Sequence, residues 1–224
     1  MLSPGEPQAA DGATESGRGT RQRILEVSAA LFARKGFHGT ATREIAAEVG
    51  IRQPSLFHHF PTKQAILAEL LDRDLRPALE RIRRHRAGDA GAAVRLYAYL
   101  LDDVAALVAS PFDARGLYND DVLLEDDLAE QRRLRTRLHE ETRRLIAEGV
   151  ASGDLRPLDP LFAQQVVSGM LLDTIWVAGT HLADDLTDRP AQIADFVLLG
   201  MLADPARLSA VRERAAELGA GPPP

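Results

Sequence analysis

Apolar residues recur along most of the chain at spacings of three and four, the period of a helix with one buried face, and no run alternates in the way a strand would. The pattern predicts an all-α fold. A first helix over residues 20–35 carries Ile24, Leu25, Val27, Leu31 and Phe32 on one stripe, with Thr20 as its N-cap and Gly36 as its stop. Two short helices, 42–49 and 53–59, are separated by Gly50-Ile51-Arg52, where the glycine can take the positive φ of a tight turn. That is helix-turn-helix spacing. A long helix over 63–87 puts Leu67, Leu71, Leu75, Ala78 and Ile82 on one face, and further helices are expected over 91–109, 126–151, 160–179, 190–203 and 204–218. The helix over 91–109 carries Val94, Tyr97, Leu101, Val104 and Val108, and the stretch 110–125 interrupts the periodicity with Pro111, Gly116 and Asn119. Residues 160–179 are apolar almost all round, the mark of a helix buried on every side.

The two ends are different in kind. Residues 1–17 are rich in Gly, Pro, Ala and acids, and with the tail 219–224 they are expected to be disordered. This leaves an N-terminal unit over 18–65 and a helical body over 66–218.

Charge sharpens that division. The net charge of −6 over 224 residues looks wrong for a nucleic-acid binder. Residues 18–63, however, hold eight basic side chains against three acidic ones, or +5, while 1–17 stand at −3 and 64–224 at −8. The positive field is thus confined to the helix-turn-helix segment, and binding to phosphate needs a basic face, not a basic protein. With no cysteine in the chain, disulfides and thiolate chemistry are excluded. No 18-residue run is free of polar residues and the first residues lack a signal-peptide pattern, so a cytoplasmic protein without a membrane partner is expected.

Between Gly36 and Lys63, the residues Ile45, Ala46, Val49, Ile51, Leu56 and Phe60 fall inward. Arg43, Gln53, Ser55, His58 and His59 fall outward, where they can hydrogen-bond base edges or phosphates, and Pro54 and Phe57 offer apolar contact to a thymine methyl or a sugar. The adjacent His58-His59 pair points about 100° apart on a helix and has no carboxylate to complete a metal site. The segment resembles the DNA-binding head of the Tet repressor (TetR) family: G-F-x-x-T at Gly36–Thr40, I-A at Ile45-Ala46, G-I at Gly50-Ile51, and L-F-x-H-F-x-T-K at Leu56–Lys63. The likeness covers residues 20 to about 70.

The resemblance implies an N-terminal three-helix helix-turn-helix domain and a C-terminal helical domain that binds ligand and forms a homodimer. It implies base contacts from Arg43, Gln53, Pro54 and Ser55 and backbone contacts from Thr42, His59 and Lys63; Thr40, Arg52, Phe57 and His58 complete the candidate DNA-contact set. Phe57 replaces the usual tyrosine, removing a hydroxyl-to-phosphate bond, and Arg52 stands where a capping Ser or Thr is common. The implied function is a repressor released from a palindromic operator by a small effector. Tyr97, Phe112, Tyr118, His139, Met170 and Trp176 are candidate ligand contacts, around a pocket expected between the helices beginning near Lys63, Gly91 and Asp126. The 160–179 helix would form its floor, and a dimer is expected through 160–203. The run Arg81, Arg83, Arg84, His85, Arg86 suits a helix C-terminus better than a second DNA contact, and Asp173 and His181 are open between pocket, interface and exposed ends. An enzyme is the competing class, but G-x-S-x-G, Walker A, H-E-x-x-H and G-x-G-x-x-G are all missing, and no cofactor is expected. A helical interaction module without DNA binding is the third.

Overall fold

In the computed structural model, which describes residues 11–118, 120–180 and 185–219, the described elements are α-helices and short 3₁₀ turns. The first ten residues of the acidic arm, Asn119, His181 and the tail from 220 lie outside the described residues. The helices are α1 (Asp11–Lys35), α2 (Thr42–Val49), α3 (Gln53–His59), α4 (Lys63–Arg86), α5 (Ala92–Val108), α6 (Asp120–Leu123), α7 (Ala129–Ser152), α8 (Pro160–Thr180), α9 (Arg189–Met201) and α10 (Leu208–Gly219). Helix α1 begins nine residues before the expected cap. Thr20 is therefore an interior residue, because no proline between 11 and 35 stops the helix. Helix α4 in turn continues through Pro77, which has no N–H to give to the preceding turn.

The chain divides into two compact units, Met1–Leu70 with Pro111–Val122, and Leu71–Ser110 with Leu123–Pro224. The first has a core of Ile24, Leu25, Leu31, Phe32, Phe37, Ile45, Leu56, Phe60, Ile66 and Leu67, to which the second passage of chain adds Leu117 and Val122. Ile51, expected inside, is half-buried. A 3₁₀ turn, Ala114–Gly116, lies against α1 in this unit. The approach is backbone on backbone: a Cβ at Gly116 would stand 2.3 Å from the carbonyl carbon of Phe32 and 2.4 Å from its oxygen. Neither atom can step aside without moving the helix. Gly116→Ala is expected to lift this turn off α1, destabilising the fold by about 1–3 kcal/mol, within the usual range for overpacking. Hydrogen exchange should quicken at residues 112–118, and exchange at the parent rate would count against the contact.

In the second unit α5 is the hub, packing against α7, α8, α9 and α10. Its buried residues are Ala92, Ala93, Leu96, Tyr97, Ala98, Tyr99, Leu100, Asp103 and Val104. The expected stripe members Val94, Leu101 and Val108 are only half-buried, because neighbours on several sides bury a different and wider face.

Helix α8 corrects the expectation of burial on every side. Ala163, Gln164, Val167, Thr174 and Ile175 are buried, while Leu161, Phe162 (64% exposed), Val166, Leu172 and Trp176 (55% exposed) face outward from the single chain. Phe196 and Leu199 extend the apolar surface on α9. By length and composition alone α8 could cross a membrane, with a mean hydropathy of 1.3 over its most apolar window.

Candidate nucleic-acid interface

The α2–turn–α3 segment is set by local backbone chemistry. Gly50 sits in the left-handed region at φ 83°, closing α2 with its N–H on the carbonyls of Ala46 and Ala47, and Ile51 N–H reaches Ala46 O at 2.9 Å. The chain re-enters a helix at Arg52, in extended conformation, whose carbonyl takes the N–H groups of Ser55 (2.9 Å) and Leu56 (3.2 Å). Arginine cannot cap as serine does, and no side-chain cap forms here. Pro54 occupies the first turn, where its missing N–H leaves no bond unmade.

Leu56 is the buried residue of α3, and Ile45, Ala46 and Val49 are those of α2. The outward faces carry Arg43, Arg52, Gln53, Pro54, Ser55, Phe57 and His58, all exposed, with Thr42 and His59 half-buried. Gln53 Nε2 donates to Thr42 Oγ1 at 3.0 Å, joining the first residues of the two helices. Burial draws the His59 imidazole below its ordinary value, with His58 and Arg21 acting in the same direction. The backbone carbonyl of His59 accepts from Arg21 Nη1 at 2.7 Å.

The basic side chains of this unit are not equivalent. Arg34 pairs with Glu48, Lys35 with Glu44, and Arg21 with Glu69 while also lying 4.0 Å over the Phe60 ring. Arg43 and Arg52 have no carboxylate partner among the described residues, so they bring uncompensated charge to the segment that carries Gln53 and Ser55. Direct readout uses this combination of hydrogen-bond donors, apolar contacts and cations on exposed helix faces.

Two residues of the expected DNA-contact set have other work. Thr40 is buried and its hydroxyl donates to Gly36 O at 2.8 Å, so it closes the turn after α1 and is not placed to meet a phosphate. Lys63 turns its ammonium inward, donating to Phe37 O at 2.6 Å and Thr40 O at 2.8 Å and lying 4.3 Å from the Phe37 ring centroid. These bonds staple the start of α4 to the α1–α2 turn. Lys63→Met is expected to lower stability by about 1.5–3 kcal/mol, the range of charge-assisted hydrogen bonds, in thermal or urea unfolding. The slope of log affinity for DNA against log salt should hold; a fall of about one would restore a phosphate role.

Within the second unit, the expected ligand contacts Tyr97, His139, Met170 and Trp176 lie in different surroundings. Tyr97 is buried with its hydroxyl on Asp195 Oδ1 at 2.9 Å, and burial reinforced by that carboxylate pushes its phenol up to about 12. Phe112 and Tyr118 belong to the first unit, where Tyr118 lines a shallow cleft with Phe32, Phe37, Arg115 and Gly116. His139 lies in a groove between α7 and α8, its ring held below the ordinary histidine value by burial and by Arg135. Met170 lines a separate cleft with Asp173, Thr174, Arg189 and Ile193, and Trp176 is exposed.

In the second unit, side chains of α4, α5 and α7 form an ion-pair ladder. Arg81 holds Asp103, Arg84 and His85 hold Asp102, Arg86 holds Glu141 and Glu148, and Arg95 also reaches Glu148. Arg81, Arg84, His85 and Arg86 of the run 81–86 are thus occupied within the second unit, while Arg83 is exposed. Only the charge of the run is visible in sequence, since the acceptors lie up to 62 residues away.

Comparison with known proteins adds to the geometry. Residues 24–70 match the family described as bacterial regulatory proteins, tetR family. The HTH-type transcriptional repressor KstR2 of Rhodococcus jostii (strain RHA1) is 31% identical over 176 residues, covering 77% of this chain and 83% of the relative. The chain belongs to the TetR family. TetR-family proteins are transcriptional regulators, and the helix-turn-helix here is that family's DNA-binding element. The crystal structure of Mycobacterium smegmatis AmtR superposes with a TM-score of 0.74 at 31% identity, covering 99% of this chain and all of that one. AibR, solved with isovaleryl coenzyme A and operator DNA, shares the fold at a TM-score of 0.67 and 22% identity, covering 82% of this chain and 98% of that one.

Proposed function

We propose that the protein is a homodimeric repressor that grips a two-fold-symmetric operator in the cytosol and lets go when a small molecule binds its second unit. The observation that carries DNA reading is the exposed face of α2 and α3, where Arg43, Arg52, Gln53, Ser55 and His58 surround Pro54 and Phe57. One such head covers a half-site only. The uncovered apolar faces of α8 and α9 support a second copy as the occupant, because paired helices from two chains would bury them in a four-helix interface.

Release requires that the effector favour the DNA-incompetent state; a coupling of roughly 1–3 kcal/mol changes affinity about 5–150-fold. The second unit offers mixed contacts for a mainly apolar molecule, with His139, Gln164 and Ser168 in one groove and Met170 in another cleft. AibR, which shares the fold, was solved with both isovaleryl coenzyme A and operator DNA, so the fold can hold both kinds of partner. Helix α4 begins in the first unit and continues in the second, which gives a ligand a covalent route to the reading head.

Selection from a random duplex library by the full-length protein tests the proposal. Enrichment of a sequence with two inverted half-sites, centred about one helical turn apart or a multiple of it, is the expected result. A library left unenriched after repeated rounds would overturn operator recognition.

A further inference from the structure

We propose that Thr42 is a positioning residue that sets the Gln53 amide for recognition of an A·T pair. The inference rests on the DNA-reading role of α3 and goes beyond it by assigning a base and a cause. Gln53 is the first residue of α3 and its side chain is exposed, so without a partner its three torsions would have to be frozen by the DNA itself. The 3.0 Å bond from Nε2 to Thr42 Oγ1 does that freezing in advance. Thr42 suits this task because it is β-branched, with a restricted χ1, and is half-buried at the first position of α2, a helix fixed by the buried Ile45, Ala46 and Val49.

The arrangement also selects an amide orientation. When the N–H trans to Oε1 makes the bond to the threonine hydroxyl, the other N–H and Oε1 remain free side by side. Adenine offers the complementary pair in the major groove, an N7 acceptor beside an N6 donor, whereas guanine offers two acceptors there. A locked amide therefore prefers adenine, and an unlocked one can rotate to satisfy other edges. The threonine hydroxyl keeps its own proton, so a phosphate contact from Thr42 is compatible with the geometry but would not discriminate among bases.

The experiment compares the parent protein, Thr42→Val, Thr42→Ser and Gln53→Ala. Each is titrated against the duplex the parent enriches from a random library, and against single base-pair variants made symmetrically in both half-sites. In the parent, the position lost in Gln53→Ala should prefer A·T by roughly 5–150-fold. Thr42→Val, nearly isosteric but without the acceptor, should cut that preference to about threefold or less while ratios at other positions hold, and Thr42→Ser should restore it. Thermal unfolding at the parent temperature confirms that the valine variant is folded. If Thr42→Val weakens every duplex alike, Thr42 is a backbone contact and the positioning role is wrong. If it changes no ratio, or if the Gln53 position prefers a G·C pair, the inference also fails. A parent that enriches no duplex overturns the DNA-reading role beneath it, a pattern distinct from each of these.

Discussion

Phe162→Glu combined with Trp176→Glu should yield a folded monomer at micromolar concentration with operator affinity lowered by roughly 10²–10⁴-fold, the factor that linking two half-site contacts contributes. Both side chains are among the most exposed apolar groups of α8, at 64% and 55%, so a charge at either meets water in the single chain and meets apolar surface in the dimer. Burying one such side chain is worth about 1.5–3 kcal/mol; Leu161, Val166 and Leu172 are further exposed apolar residues of α8, and Phe196 and Leu199 are exposed on α9. Sedimentation measures the first effect and titration of the selected operator the second. A double variant that still sediments as a dimer would move the interface elsewhere.

Arg81→Leu should destabilise the protein by about 3–5 kcal/mol near pH 7, as expected when one partner of a buried ion pair is removed. Asp103 is almost fully enclosed and accepts from Arg81 Nε at 3.0 Å, Arg81 Nη2 at 2.7 Å and Tyr99 Oη at 3.2 Å. Burial raises its carboxyl above the ordinary value, and Arg81 is the main force pulling it back. Without the guanidinium the folded-state value rises further. A group shifted upward in this way is tolerated best below its unfolded pKa and costs stability as pH rises through the folded value. The deficit of Arg81→Leu should therefore be smallest near pH 4 and widen toward neutrality. Replacing both residues by leucine should recover much of the loss, since no buried charge is then left without its partner. Urea unfolding at two pH values measures the parent and both variants; a loss under about 1 kcal/mol at pH 7 would show the pair to be incidental.

Local rules made much of this molecule readable from its residues. Gly50 announces the tight turn because few residues tolerate positive φ, and the spacing of Ile45, Ala46, Val49 and Leu56 states which faces of α2 and α3 turn inward. The helix from Lys63 ends within one residue of its expected stop. What escaped depends on distant partners. Lys63 reads as a phosphate ligand by type, yet its charge is taken by carbonyls 23 and 26 residues earlier. Tyr97 looks like a pocket residue until Asp195, 98 positions on, is found at its hydroxyl. Helix α8 shows its apolar composition in sequence, but periodicity is uninformative when nearly every position is apolar, so the uncovered side emerged only from the fold. The Gln53–Thr42 bond had a faint signal, two polar residues at the starts of paired helices, with nothing in the spacing to say that they touch.

The most direct measurement of the central claim, that the outer face of α2 and α3 reads bases, is the affinity of Arg43→Ala for the selected operator and for a duplex of scrambled sequence at matched salt. Arg43 is exposed and has no carboxylate partner among the described residues, so its removal leaves the fold intact. A loss of roughly 5–150-fold on the operator, with a much smaller loss on the scrambled duplex, is the predicted result; equal losses on both, or none on either, would contradict it.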